Sequence, residues 1–332
     1  MIAAPHPDGA TAHMYVRHPE ARGNALRRFL RHASDVVWCF VRVALPKGRR
    51  FDQVYHVLYF LLTQHRFPRL RNPRTLNEHL FRLKMSGTMS DPLRRRVSDK
   101  VLVKEFIRER AGAHYPETLA CCNSFESFLA TDLPERCVIK PAHASGRVVY
   151  ADGPLDRAAL DEVRSWFDLN YYDLERELNY RDLEKRVIVE ELLGDGITPP
   201  KDYKVFCFDG EPQFVQVDDG RFTDHTRNLY TTDWRMLPVR WPYANHAKDE
   251  RPESLAEIVR LSRLVAAEFD FIRVDFYVTD GRVLIGELTN LPANASQRFL
   301  PQEVDGILGN LFTGKVMRDI ERKLFALGGH AS

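Results

Sequence analysis

Apolar side chains recur at helical spacing through the opening third of the chain and at mixed strand and helix spacing afterwards. Two short apolar stretches come first, Val36–Leu45 and Val54–Leu62. Arg27, Arg28 and Arg31 precede them, Arg49 and Arg50 lie between, and Arg42 interrupts the first. Neither approaches the ~20 apolar residues of a membrane span. They read either as a surface helix touching anionic lipid or an acidic polymer, or as a helical layer packed on the rest with its arginines in solvent. Pro68 and Pro73 mark a boundary near residue 70. Thr75 then opens a helix through Leu76, Leu80 and Leu83, with Glu78 spaced as in a capping box. Asp99–Arg110 reads as a further helix that Gly112 ends.

From residue 115 the pattern turns to strands with helices interspersed. Cys137–Lys140, Val148–Tyr150 and Val187–Val189 read as strands, and Leu155–Leu169 as a helix. Tyr203–Phe208 and Gln213–Val217 flank Asp209-Gly210 as a hairpin. Leu255, Ile258, Val259, Val265, Ala266 and Phe269 give a helix with one apolar face, and Ile272–Val278 with Val283–Leu288 form a final hairpin. Hairpins are too frequent for an all-parallel sheet, so the expected class is α+β.

The composition, 44% hydrophobic and 28% charged over 332 residues, excludes a disordered, collagen-like or membrane-bundle protein and allows a core without staples. The net charge of +2 conceals a split: residues 1–74 hold 13 Lys/Arg against 4 Asp/Glu, and the remainder nets −7. An acidic body lacks the basic face that nucleic acid requires. Five cysteines (Cys39, Cys121, Cys122, Cys137, Cys207) without a CxxC suit neither a disulfide framework nor a zinc site, and a reducing cytoplasm is expected. Met1–Arg22 has no apolar run of a secretory signal.

Three segments carry candidate chemistry. In the final hairpin, Arg273 and Asp275 share a strand face, and the turn decides whether Glu287 and Thr289 join them. A two-residue Asp280-Gly281 turn pairs 275 with 286 and sends Glu287 to the opposite face. A three-residue Thr279-Asp280-Gly281 loop, a common form with Gly last, pairs 273 with 287 and gathers all four on one face. Two carboxylates so placed suit Mg2+ completed by phosphate oxygens and water, or a cross-strand ion pair with a solvated aspartate. Val138-Ile139-Lys140 delivers a lysine to the small-residue loop 141–146, whose backbone can approach phosphate; an ordinary strand link has the same form. Val187–Leu193 ends a strand in Glu190-Glu191, as either a sheet edge or an adenine-reading hinge.

The order of these pieces resembles the ATP-grasp superfamily, and more narrowly its TupA-like branch, which occurs with bacterial surface-polysaccharide genes. The resemblance rests on Pro73–Glu78, Asp99-Lys100, His143–Gly146, Asp202–Gly210, Arg273–Phe276 and Gly286–Thr289, across residues 55–310. It implies two α+β lobes gripping ATP, with residues 1–70 as a basic helical extension and 71–332 as the catalytic region (99–135 a linker, 136–192 the small ATP lobe, 193–315 the metal lobe). Lys100 and Lys140 would hold phosphates beneath a loop containing His143, Ser145 and Gly146. Glu190 would accept from the adenine amino group, with backbone contacts at Glu191 and Leu193, and Asp202 would hold the ribose. Asp275 and Glu287, with Thr289, would ligate Mg2+. Arg273 and Lys204 would face the reacting phosphate or substrate, with Arg221 and Arg227 as weaker candidates.

The implied activity is carboxylate–amine ligation through an acyl-phosphate, joining an amino acid to a uronic acid of a surface polysaccharide or its precursor. Alternatives are a sugar phosphotransferase and a non-catalytic module binding polysaccharide or membrane. Thr289 stands where many ATP-grasp ligases carry Asn, as the TupA-like branch also tends to have it. Leu291–Ala295 lacks the glycine usual in the branch's following loop.

Overall fold

The structure, a computed structural model, describes residues 38, 41, 44–194, 200–220 and 225–328. Most of the Val36–Leu45 stretch lies outside them. Helix α1 (Arg49–Gln64) buries Tyr55 and Phe60 and ends where His65 turns left-handed (φ 54°). Phe60 joins a core with α2 (Leu76–Met85) and, further along the chain, α9 (Glu303–Gly309) and α10 (Met317–Gly328). The outer side of α1 leaves Phe51, Val54, Leu58 and Leu62 exposed.

Thr75 caps α2 by accepting from the Glu78 N–H (3.2 Å). The reciprocal half of the expected capping box is absent. The Glu78 carboxylate accepts instead from the N–H of Arg74 (2.9 Å) and of Arg69 (3.3 Å) and pairs with Arg66, so it ties the preceding turn to the helix. The expected Asp99–Arg110 helix is a single one that begins three residues later. Helix α3 (Pro92–Ser98) precedes it, and α4 spans Leu102–Ala111, ended by Gly112 at φ 82°. Asp99 lies between them, its Oδ1 accepting from the N–H groups of Val101 (2.8 Å) and Leu102 (3.1 Å). A carboxylate that satisfies the first free donors of a helix starts it there.

Two antiparallel sheets follow. The smaller has the order β1 (Thr118–Cys122), β4 (Val187–Glu191), β2 (Arg136–Pro141), β3 (Val149–Asp152). Helices α5 (Phe125–Leu129) and α6 (Arg157–Asp168) cover one side of it, with Phe128, Val163 and Trp166 on Cys137, Ile139, Val187 and Val189. Helix α7 (Tyr171–Glu175) lies in the connection back to β4. The larger sheet runs β7 (Thr226–Thr231), β6 (Glu211–Asp219), β5 (Lys201–Phe208), β8 (Phe271–Thr279), β9 (Arg282–Thr289). Helix α8 (Leu255–Ala266) packs with α4 on its Val205, Val215, Val274 and Phe276 face. The expected α+β class is the one observed.

The final hairpin resolves the open question of register. Asp280 (φ 51°) and Gly281 (φ 71°) form a two-residue turn that pairs Thr279 with Arg282. The three-residue loop does not form. Pairing then runs regularly to Phe276 opposite Ile285, after which Asp275 faces Glu287, with Gly286 as the extra residue of a bulge. The bulge shifts the remainder of β9 by one residue, and that shift brings Glu287 and Thr289 to the face of Asp275 and Arg273. A side chain at 286 would have to displace the Tyr277 ring: a Cβ there would lie 2.5 Å from Cε2 of Tyr277. Gly286→Ala is expected to cost about 1–3 kcal/mol in urea unfolding, and Tyr277→Ala in the same chain to restore part of it. An unchanged unfolding midpoint for the single variant would show that the ring does not close this space.

Candidate active site

Strand alternation places one row of charge across the large sheet. Lys204 lies opposite Asp275, Asp202 opposite Asp218, and Arg227 opposite Asp218 on its other side. Arg273 grips Asp275 with two parallel bonds, Nε to Oδ1 and Nη2 to Oδ2, both 2.6 Å. The same Nη2 reaches Glu287 Oε1 (3.2 Å) and Thr289 Oγ1 (3.0 Å). The Thr289 hydroxyl donates to Glu287 Oε1 at 3.0 Å. Lys204 pairs with Asp202 and stands 3.5 Å from Asp275. Gln216 and Arg227 close the row by bonding Asp218.

The two carboxylates differ in electrostatics. Burial pushes Asp275 up to about 6, against Arg273 and Lys204, which favour its ionised form. Glu287 is also penalised by its surroundings, but Arg273, Lys100 and Lys204 outweigh this and draw it down to about 2. The Glu287 side chain is 41% exposed and so presents an ionised oxygen outward. Two carboxylates and a hydroxyl are hard oxygen donors, the chemistry that Mg2+ accepts. Among the described residues no group of three or more His, Cys, Asp or Glu could hold a metal ion. A cation held by these donors would take its remaining ligands from phosphate and water.

The small sheet supplies a second cluster. Lys140 and Glu190 are diagonal neighbours on adjacent strands and form an ion pair. Lys104, on α4, holds the other Glu190 oxygen at 2.6 Å and donates to the Pro116 carbonyl (2.8 Å) and Thr118 Oγ1 (2.6 Å). Glu190 is lowered although burial opposes it, because both lysines face it. Lys100 donates to the Pro141 (3.2 Å) and Ala144 carbonyls, and burial with Lys140 nearby lowers it to about 8. Glu287 and Glu190 both act on Lys100, so it stands between the two clusters.

The other expected residues are placed as follows. His143 is buried, its Nδ1 accepting from the Arg186 N–H (3.3 Å) and its Nε2 bonded to the Trp166 carbonyl (3.1 Å). Both ring nitrogens are thus committed to holding the base of the 143–146 loop, and neither faces outward. Ser145 is half-buried and Gly146 exposed at φ 73°. The Glu191 N–H donates to the Glu117 carbonyl (3.1 Å) and its carboxylate pairs with Arg282, so β4 is tied to β9 rather than left free at that end. Leu193 is buried. Arg221 lies outside the described residues. Arg227 points at Asp218 and the Trp241 carbonyl (2.8 Å), inside the row rather than at its edge. Sequence reading missed Lys104, Gln216 and Asp218. Gln216 and Asp218 alternate on a strand beside Asp202 and Lys204, which was a usable signal, whereas Lys104 meets Glu190 only through tertiary packing.

Two antiparallel sheets, one bearing a lysine–glutamate cluster and the other paired carboxylates with an arginine, are the ATP-grasp fold of the family that the sequence matches. The chain belongs to the TupA-like ATPgrasp family, whose sequence profile matches residues 78–313. Among solved structures it is similar to D-alanine--D-alanine ligase from Bacillus anthracis complexed with ATP (18% identity over 71% of this chain and 69% of that one, TM-score 0.37). It is also similar to the VanG D-Ala:D-Ser ligase from Enterococcus faecalis (15%, 69% and 62%, 0.41) and to N5-carboxyaminoimidazole synthetase from Staphylococcus aureus (13%, 65% and 51%, 0.38). No curated protein sequence matches it significantly.

Lys104→Met should destabilise the fold by about 3–5 kcal/mol, since it leaves the buried Glu190 with half its compensating charge. Denaturant unfolding at pH 7 measures this. The double variant Lys104→Met/Glu190→Leu should recover much of the loss, and a single variant as stable as the parent would remove Lys104 from the cluster.

Proposed function

We propose that this chain is an ATP- and Mg2+-dependent carboxylate–amine ligase. The observation that supports it most is the gathering of Arg273, Asp275, Glu287 and Thr289 on one face, with Lys100 standing between them and the Lys140–Glu190 pair. Lys100 and Lys140 neutralise phosphate charge; Glu190 and the backbone near Glu191 and Leu193 take the adenine; Asp202 takes the ribose. Asp275 and Glu287, with Thr289, hold Mg2+, which supplies charge neutralisation on the phosphates when bound. Arg273 and Lys204 steady the developing negative charge as a carboxylate attacks the γ-phosphorus and ADP leaves. An amine then attacks the acyl carbon, the bond to phosphate breaks, and an amide remains. This chemistry requires positioning and fixed positive charge more than an activated nucleophile. The resemblance to the TupA-like branch implies a uronic acid of a surface polysaccharide or its precursor as the carboxylate, and an amino acid as the amine.

Uronic acids paired with amino acids should stimulate ADP release by the purified chain. Asp275→Asn and Lys140→Ala should each reduce it at least 100-fold while circular dichroism stays unchanged, about 2.7 kcal/mol of lost transition-state stabilisation. Near-parental turnover in both variants would refute the site. Phosphoryl transfer to a sugar without any amine would identify a kinase instead.

The outer side of α1 supports peripheral contact with an anionic lipid surface. Phe51, Val54, Leu58 and Leu62 are exposed along one helical stripe, and Leu70 with Met85 extends it as a groove of about 600 Å³ edged by Arg50 and Arg82. Arg49, Arg69, Arg71 and Arg74 are exposed in the same stretch of chain, with Asp52 turned inward to Arg176. Apolar side chains flanked by arginines match an anionic interface. No helix among the described residues is long and apolar enough to cross a membrane. The chain should co-sediment with phosphatidylglycerol vesicles and not with phosphatidylcholine ones, and Leu58→Asp should weaken this at least fivefold. Equal recovery with both lipids, or an unaffected variant, would leave the stripe to self-association or packing.

A further inference from the structure

Next to the row of charge lies a second charged group that the ATP site does not use. Helices α1 and α2, residues 171–180 and the loop after β9 converge there. Arg176 fixes the arrangement. It is fully buried and left-handed (φ 55°), and its guanidinium holds Asp52 (3.1 Å) and the Pro46 (3.0 Å) and Leu45 (2.6 Å) carbonyls. Its own carbonyl is bonded by His56 Nε2 at 3.1 Å. The backbone at 176 is thereby clamped to α1, and the next residue, Glu177, is held in place by it.

Glu177 is only 8% exposed, and among the described residues its carboxylate has no hydrogen bond and no ion pair. Lys84, 4% exposed in the last turn of α2, acts on it electrostatically without pairing with it. The Lys84 ammonium donates instead to Asn294 Oδ1 and lies 5.9 Å from the centre of the Tyr59 ring. Asn294 Nδ2 donates to Glu175 Oε2 (3.1 Å), so the amide separates the cation from that carboxylate. Half-buried Tyr59, Tyr171 and Tyr180 belong to the same cluster, with the last two rings 4.5 Å apart. Tyr180 senses Glu177 on one side and Glu287 and Arg273 on the other, and Ser145 of the small-residue loop lies beside it. The cluster therefore lies near Arg273 and Glu287.

A buried carboxylate and a buried ammonium that neighbour each other without pairing are a costly arrangement. Burial pushes Glu177 up to about 7 and draws Lys84 down to about 8, in keeping with charges that the protein leaves under-compensated. A ligand carrying both opposite charges satisfies both groups together. We propose that this cluster binds the amine acceptor as an amino-acid zwitterion, its ammonium on Glu177 and its carboxylate on Lys84, with the ammonium end toward Tyr180 and the reacting phosphate. The proposal rests on the ligase reading above and assigns its second substrate a place.

The test uses the full chain with MgADP, whose binding is measured first. Saturation-transfer NMR against an equimolar mixture of the proteinogenic L-amino acids should give at least one binder. Its N-acetyl and methyl-ester derivatives, each lacking one charge, should bind at least tenfold more weakly to the parent. Glu177→Gln should weaken the free amino acid at least tenfold and abolish discrimination against the N-acetyl form. Lys84→Met should abolish discrimination against the ester. Both variants should bind MgADP as the parent does, which controls for folding. Absence of any amino-acid binder while MgADP binds, or unchanged discrimination in both variants, overturns this proposal and leaves the ATP site standing. Failure of the parent to bind MgADP overturns the ligase reading and this proposal with it.

Discussion

The register between β8 and β9 is the constraint on which the candidate site depends. A regular two-residue hairpin would send Glu287 to the apolar side of the sheet, where α4 and α8 pack. The bulge at Gly286 prevents that by inserting one residue, and the Tyr277 ring occupies the space that a side chain at 286 would need. Once both carboxylates share a face they repel, and Arg273 makes their closeness tolerable by bridging Asp275, Glu287 and Thr289. Geometry and charge compensation are thus inseparable here: the bulge creates the pair and the arginine stabilises it.

The same logic connects the two sheets. Charged side chains link them, with Lys100 between Glu287 and Glu190, and Arg282 paired with Glu191. Buried ion pairs contribute little net stability against apolar replacements, yet removing one partner is costly. Such contacts tie the two sheets together through charge. The apolar cores lie on the far sides: Trp166 and Val163 behind the small sheet, and Ile258, Leu261 and Val265 behind the large one. Further along the large sheet's charged face, Phe206, Phe208 and Phe214 give it a third core with α2 and α10, so one strand, β5, carries both site and packing residues.

Much of this was legible before the fold was known. Period-two alternation located β5 and β6 around Asp209-Gly210, and the helix of Leu255 to Ala266 announced itself by its apolar face. The motif order gave the family, because each motif sits on its own element. The misreadings have local physical causes. Asp99 resembles a residue inside a helix but caps one, since its short carboxylate reaches the backbone N–H groups two and three residues ahead. Glu78 has the spacing of a capping box, yet the turn of residues 66–74 brings better donors to it. His143 carries a polar side chain in a loop of small residues, and packing against Trp166 turns it inward.

The sequence by itself determined the class, the family, the strands that carry Lys140, Glu190, Lys204, Asp275 and Glu287, and the residue types at the site, because these follow from local periodicity and short motifs. Tertiary structure alone decided that Lys104 shares Glu190 with Lys140, that Asp218 joins the row of charge, and that Arg176 clamps residues 171–180 to α1 beside Lys84 and Glu177. Those partners lie up to 124 residues apart in the chain, as Asp52 and Arg176 do. No local pattern encodes such meetings, since burial of a charge selects its partner by proximity in the folded core and not by spacing along the chain.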